Sequence, residues 1–299
     1  MISLQHLRQI IGRQDYKIGF INEEDLFKQK SIYDYISWLK LGDYHDGWFA
    51  DPFILDVDEK NVLILVEEWV YKHNKGRISK LTVRRSDFSL LQVKPVLELD
   101  THLSFPNIIR ENGSVFVYPE NAQSGCLRIY EYDETHDVLH MPKVLINEPL
   151  VDSQIVRIDN QYYLFGTPFI AGALDETKCQ NVYKSDSLFG PFELMQIISS
   201  ERCDERGAGE IYYDKDRLIR PCQDCDEIYG KAVILKQLLL NNERFEESSV
   251  LSINSDPNRI NGQSLHTYNR FQRLCVIDGT DYHYRQLAKL YKCFISSIR

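Results

Sequence analysis

The sequence predicts an all-β fold and, within that class, a five-bladed β-propeller with a short N-terminal extension and a C-terminal helix. Three observations lead there. Between about residues 48 and 284 there is no long helical periodicity, only short apolar runs separated by turn signals. The chain carries 18 Tyr, 14 Phe and 3 Trp against only 3 Met, a composition suited to pleated, half-buried surfaces. A weak internal repeat also recurs along the body, the mark of an architecture built from stacked units.

Each unit opens with a short polar motif at a loop end, followed by an apolar strand, a turn and a second strand. The first is Trp48-Phe49-Ala50-Asp51-Pro52-Phe53-Ile54 with Val62 to Trp69. The second is Leu103-Ser104-Phe105-Pro106-Asn107 with Val115 to Glu120, turning at Gly113. The third is Val151-Asp152-Ser153-Gln154 with Tyr162 to Thr167, and the fourth is Gly209-Glu210-Ile211-Tyr212-Tyr213 with Arg217 to Asp224. The fifth is Leu265-His266-Thr267-Tyr268-Asn269 with Leu274 to Gly279. With Asp51, Pro106, Asp152, Glu210 and His266 as anchors, the units lie 46 to 58 residues apart, the length of one propeller blade. Further strands are expected at 77–83, 127–132, 181–185 and 231–238. Five such units close a ring with no long open sheet edge. The alternative is an irregular β-sandwich with coincidental spacing.

The flanks complete a single-domain reading: 1–44 as an extension packing on the propeller, 45–284 as the propeller, and 285–299 as an amphipathic helix. The last segment has Leu287, Leu290, Tyr291, Phe294, Ile295 and Ile298 at three- and four-residue spacing, with Arg285, Lys289, Lys292 and Arg299 and no acid. It either packs on the fold or makes peripheral contact with an anionic membrane or a partner. The first twenty residues lack a signal peptide's apolar core and cleavage site, no window is long and apolar enough to span a membrane, and seven Cys cannot all pair. The expected location is therefore the cytoplasm, with the inner face of the membrane as the peripheral option. A net charge of −9 argues against a nucleic-acid partner. Cys222 and Cys225 form a C-x-x-C pair without a second pair or a nearby His, so neither a metal nor any other cofactor is expected. Asp56-Val57-Asp58 reads as a strand-to-strand turn.

In a propeller the innermost strands line a central channel, so residues more than 200 positions apart can share one pocket. The anchors bring two Asp, one Glu and one His together, with Glu67, Glu68, Glu120, Arg220, Gln223 and Asp224 on adjacent strands. Strand alternation lets only one of Glu67 and Glu68 face the channel. Carboxyls beside amides and aromatic rings suit sugar chemistry. One carboxylate deprotonates water or an acceptor hydroxyl, a protonated carboxyl donates to the leaving oxygen, and a third carboxylate raises that acid's pKa.

The motifs Trp48 to Phe53, His102 to Pro106, Pro119-Glu120, Val151 to Ser153, Ser185 to Phe192, Gln223 to Cys225, Tyr229-Gly230 and His266-Thr267 resemble the N-terminal domain of glucosamine inositolphosphorylceramide transferases, over about residues 45 to 280. That domain is in turn similar to the five-bladed propeller of glycoside hydrolase family 43. The resemblance implies Asp51 as base, Asp152 as pKa modulator and Glu210 as acid, with Glu120 or Asp224 as alternative acids. Trp48, Phe105, Glu120, Arg220, Gln223, Asp224 and His266 become the candidate substrate contacts. The transferase domain of the plant proteins is a separate C-terminal one without counterpart in this sequence. The expected function is thus glycosyl cleavage or transfer, in surface-glycan metabolism, by a glycosyltransferase or glycosidase on a sugar or glycan. A nucleotide-sugar donor or lipid-linked acceptor would be the partner. The rival is a non-catalytic propeller that binds glycans or a partner.

Overall fold

A computed structural model describes residues 13–28, 31–169, 178–284 and 286. Two strands come first, β1 (Gln14–Asn22) and β2 (Ser37–Trp38). Blade 1 is β3 (Gly47–Val57), β4 (Asn61–Val70), β5 (Lys75–Arg84) and β6 (Leu90–Leu97). Blade 2 is β7 (Ser104–Glu111), β8 (Ser114–Glu120), β9 (Leu127–Asp133) and β10 (Val138–Ile146). Blade 3 is β11 (Leu150–Ile158), β12 (Gln161–Pro168), β13 (Cys179–Ser185) and β14 (Glu193–Ser199). Blade 4 is β15 (Tyr212–Asp214), β16 (Arg217–Asp224), β17 (Ala232–Asn241) and β18 (Arg244–Asn254). Every blade is an antiparallel four-stranded sheet, so the all-β, five-bladed reading holds, and the strands expected from the apolar runs are β5, β9, β13 and β17.

Blade 5 departs from the expected boundaries. Its order is β19 (Tyr268–Phe271), β20 (Leu274–Tyr282), β1, β2. Residues 14–22 and 37–38 are therefore the third and fourth strands of a blade, not part of an extension packed on the outside. All nine residues of β1 pair with β20, from Gln14 with Tyr282 to Asn22 with Leu274. This pairing ties the N-terminal part of the ring to its last blade and leaves no unpaired edge at the seam. The sequence hid it because β1 (QDYKIGFIN) has only one apolar run, Ile18 to Ile21, and no partner nearby in sequence. The expected C-terminal helix at 285–299 lies, apart from Gln286, outside the described residues.

The core is a set of wedges between blades. Phe53, Leu65 and Ile78 of blade 1 meet Phe105, Ile108 and Val117 of blade 2. Equivalent clusters join blades 2 and 3 through Tyr118, Leu127, Ile155 and Leu164, and blades 3 and 4 through Phe165, Val182, Leu218 and Phe245. Ile219, Val233, Tyr268 and Ile277 fill the wedge between blades 4 and 5, and Ile18, Phe20, Phe49 and Ile64 that between blades 5 and 1. The Tyr and Phe excess of the composition is mostly spent here.

Nearer the axis a circle of polar contacts links successive inner strands. The Phe105 N–H donates to Asp51 Oδ2 at 3.0 Å, Asn107 Nδ2 to the Ser153 carbonyl at 3.0 Å, and Gln154 Nε2 to the Gly209 carbonyl at 2.6 Å. The Glu210 N–H donates to Asn269 Oδ1 at 2.6 Å, and Asn269 Nδ2 to the Pro52 carbonyl at 2.8 Å, which completes the circle. Gly209 holds φ +155 in this circle, and a Cβ there would collide with the Tyr268 carbonyl oxygen and Asn269 Oδ1. Gly209→Ala is therefore expected to cost at least about 2 kcal/mol in a urea melt, from steric overlap and an unfavourable backbone region together.

Candidate functional site

Three inner strands carry the same local device. Their ladders skip between Ala50 and Phe53, between Ser104 and Asn107, and between Val151 and Gln154. Each bulge contains one residue of positive φ: Asp51 (+49), Phe105 (+43) and Asp152 (+44). A bulge re-aims a side chain relative to the alternation of its strand, and here it turns Asp51 and Asp152 to the axis. Holding non-glycine residues in the left-handed region costs roughly 1–3 kcal/mol each, a strain that tends to be retained where side-chain position matters. The repeat position in blade 2 is thus Phe105, one residue before the expected Pro106.

Asp51 and Asp152 meet in a cavity of about 210 Å³ lined also by Tyr16, Glu67, His102, Ser104, Glu120, Arg206, Tyr229 and His266. Asp51 accepts from Thr267 Oγ1 at 2.7 Å and from the Phe105 N–H at 3.0 Å, and His266 Nε2 lies 3.3 Å from its Oδ1. Burial pushes the Asp51 pKa up, but the His266 charge and these hydrogen bonds outweigh it and hold the carboxyl below its ordinary value. On the far side of the imidazole, Nδ1 is 2.9 Å from Asp278 Oδ2. Burial disfavours the imidazolium, yet the charges of Asp278, Tyr229, Tyr16 and Asp51 raise its pKa well above the usual histidine range. Asp278 is fully buried and also accepts the N–H groups of His266 and Thr267 at 3.1 Å and of Asp51 at 3.2 Å, so it fixes this whole corner. Ligand atoms of Asp51, His266 and Asp278 lie within 4.8 Å of one another. The two carboxylates meet opposite nitrogens of one ring, however, and this arrangement fits an imidazolium clamped between two acids better than a metal centre.

The second corner is built on Asp152. Gln223 Nε2 donates to its Oδ2 at 2.7 Å, and Arg206 Nε pairs with the same oxygen. Arg206 Nη2 is 3.8 Å from Glu120 Oε2. Burial, followed by the charge of Asp152 and a hydrogen bond to it, drives the Glu120 pKa well above the carboxylate range against the pull of Arg206. Glu67 is likewise pushed well up, by burial and by Asp51. Its neighbour His102 accepts the Gly76 N–H on Nδ1 at 2.9 Å, so its Nε2, 3.7 Å from Glu67 Oε1, carries the proton of the neutral ring. Burial lowers the pKa of that ring, against the charge of Asp51. Glu68 points the other way, to Tyr44, Arg77 and Ser79, as strand alternation requires.

Of the residues singled out by sequence, the cavity gathers Asp51, Asp152, Glu67, Glu120 and His266. Glu210 does not line it. Gly207 pairs with Cys222 at the level where Ala50 pairs with Glu67, so Glu210 falls three residues farther along the channel. There burial raises its pKa to about 7, opposed by Arg110. Blade 4 presents Arg206 to the cavity instead. Phe105 is fully buried against Phe53 and contributes only its N–H. Gln223 stands behind Asp152, while Arg220 is fully buried in ion pairs with Glu205 and Glu247. Asp224 pairs with Arg202 at 2.8 Å, outside the cavity. Trp48 is not among the lining residues; its ring lies 5.1 Å from that of Tyr16, which is, and stacks on Trp69 at 5.4 Å. Sequence reasoning missed Arg206, Tyr16 and Asp278 as parts of the site. An acid inside the apolar run Val276-Ile277-Asp278 was a usable signal; Arg206, in the charged stretch 204–206, offered none.

Comparison with known proteins matches residues 39–277 to the family model described as glucosamine inositolphosphorylceramide transferase 1, N-terminal. The curated relatives include glucosamine inositolphosphorylceramide transferase 1 of Oryza sativa subsp. japonica, 26% identical over 216 residues, covering 70% of this chain and 29% of that protein. The Arabidopsis thaliana protein of the same name is 29% identical over 154 residues, covering 50% of this chain and 20% of that protein. The chain thus spans under a third of the length of these relatives. Solved structures of similar fold include a thermostable family-43 glycoside hydrolase, at TM-score 0.56 and 11% identity over 74% of this chain and 85% of that one. The β-xylosidase RS223 has TM-score 0.55 and 12% identity over 72% and 78%. An exo-β-1,3-galactanase of Phanerochaete chrysosporium has 0.54 and 11% over 69% and 51%. At such identities these likenesses speak for the fold alone. The match over residues 39–277 is the stronger finding, and by it the chain belongs to the family of glucosamine inositolphosphorylceramide transferase N-terminal domains.

Proposed function

We propose that the cavity binds one sugar ring and cleaves or transfers its glycosidic bond. The observation that carries this reading is a single small cavity holding a carboxyl kept below its ordinary pKa, Asp51, and another kept well above it, Glu120. Two carboxyls whose environments push them apart in this way are matched to base and acid roles. Asp51 takes the proton of the attacking water or hydroxyl, and Glu120 gives its proton to the leaving oxygen. Asp152 and Arg206 set and orient Glu120, and the acid role first expected of Glu210 passes to it. The volume, near 210 Å³, is below the roughly 300–1,000 Å³ of sites for drug-sized ligands and suits a single ring. The word transferase in the names of the relatives favours transfer. We further propose a nucleotide-sugar donor or lipid-linked acceptor and a place in glycan assembly at the cytoplasmic side of a membrane.

The test is a panel of aryl glycosides and nucleotide sugars offered to wild type and Glu120→Gln. Glu120→Gln is expected to lose about 10²–10⁴-fold on poor leaving groups and much less on activated aryl glycosides, which need no proton. Activity should fall as pH rises through the raised Glu120 value and fall again as pH drops through the lowered Asp51 value. A second reading, a non-catalytic glycan-binding site, is favoured by Asp51 already accepting hydrogen bonds on both oxygens. It predicts saturable sugar binding with no turnover of any glycoside in the panel.

A further inference from the structure

Beside the sugar pocket lies a larger groove, of about 510 Å³. Its walls include Asp15 and Lys17, the residues on either side of pocket-lining Tyr16, and Gly47, three residues before Ala50 of the pocket. At about 3.3 Å per strand residue, β3 carries the chain from groove to pocket in roughly 10 Å. The groove opens at the same end of the propeller, because Gly47 pairs with Val70 beyond the Ala50–Glu67 level on the side where β3 begins. Tyr16, which lines the pocket, and Trp48, next in the chain to groove-lining Gly47, have ring centroids 5.1 Å apart.

We infer that this groove receives the second and following units of a sugar chain whose terminal ring occupies the pocket, so that the ligand is an oligosaccharide or glycoconjugate held end-on. This rests on the reading of the pocket as a sugar site and names its substrate class. The lining has the required chemistry. Tyr71, Tyr282 and His45 offer rings, while Lys17, Asn261 and Asp281 offer donors and acceptors in the same space. Its charges are nearly balanced, since Asp15 is paired with Arg13 and His283, and Lys17 and Asp281 bring one charge of each sign to the lining. A balanced lining suits an uncharged chain rather than a phosphate or another anion. Asp15, Lys17, Asp281 and Tyr282 also fall outside the stretch 39–277 that matches the family, so the length and type of chain accepted are features of this protein's own flanking strands.

The experiment is calorimetric titration of the full chain with neutral oligosaccharide ladders of one to four units, in xylose, arabinose, galactose and mannose series. In the series that binds, affinity is expected to rise about tenfold from one unit to two, the gain of one well-packed ring contact. Tyr282→Ala and the exposed-site variant His45→Ala should each remove most of that gain and leave the affinity for the single sugar unchanged. Equal affinity for one and several units, or a length gain that both variants retain, overturns the groove while leaving the pocket reading intact. Failure of every series to bind, together with no turnover in the glycoside panel, overturns both.

Discussion

Asp51→Asn will reduce glycosyl turnover by about 10²–10⁴-fold, the span expected when a general base is removed. The substitution also disturbs structure, and the contacts show how much. Every group that meets the Asp51 oxygens is a donor: the Thr267 hydroxyl, the Phe105 N–H and the His266 imidazolium. An Asn amide must therefore turn its NH₂ toward one of them, leaving a buried donor unpaired at about 1–3 kcal/mol. Asp51→Gly separates the two effects. Glycine accepts φ +49 without strain and leaves room where the carboxylate was, so added formate should restore part of the turnover if Asp51 is the base. A purely structural role predicts no rescue by formate.

The same variant moves a second observable. The raised His266 value means that its stabilising contribution is fully present below the ordinary histidine pKa and is lost as pH rises through the elevated folded value. With Asp51 neutralised, Asp278 alone faces the imidazole at close range. The midpoint of that loss should shift to lower pH, which NMR titration of His266 will report as a lower imidazole pKa than in wild type.

Much of this arrangement is legible from sequence, for reasons that also explain what is not. The blades are visible because each inner hairpin is local: Leu103 to Glu120 or Val151 to Thr167 can be read as strand, turn, strand from one window. Asp51, Asp152 and His266 are visible because each breaks an apolar run at a repeated place. The seam in blade 5 joins residues more than 250 positions apart and has no local trace. Glu210 was misplaced because spacing along the chain measures residues, whereas position in the channel depends on bulges. Blade 4 has Ala208, without a positive φ, where blades 1 to 3 have Asp51, Phe105 and Asp152, and it starts its strand only at Tyr212, so the side chain that reaches the cavity comes from 206 and not from 210. Phe105 shows the same limit from the other side. Its motif pointed to the site, and its backbone reaches it while its ring does not.

Arg220 gives the other large expected effect, in stability. It was read from sequence as a sugar contact, but the structure buries it completely in blade 4. Its Nε and Nη2 bind both oxygens of Glu247 at 2.7 and 3.0 Å, Nη2 binds Glu205 at 2.8 Å, and Nη1 takes the Glu205 carbonyl at 3.0 Å. Lys236 adds a second cation, 2.8 Å from Glu205 and 3.3 Å from Glu247. Arg220→Met keeps volume and removes the charge, leaving two buried glutamates to share one lysine. Breaking one side of a buried ion cluster typically costs about 3–5 kcal/mol, because the remaining charge loses its partner without regaining water. A urea melt of Arg220→Met should show a loss of that size, and Arg220→Lys should recover little of it, since an ammonium cannot bind Glu247 in the same two-pronged way. The pH dependence checks the assignment independently. Burial pushes Glu247 up, but Arg220 and Lys236 overcome it and bring the carboxyl down to about 2. Its contribution is thus present above the ordinary glutamate value and lost as pH falls toward 2. Wild type should lose stability steeply over that acid window and Arg220→Met more shallowly. If Arg220 served the ligand instead, the melt would stay unchanged in Arg220→Met and only sugar affinity would fall.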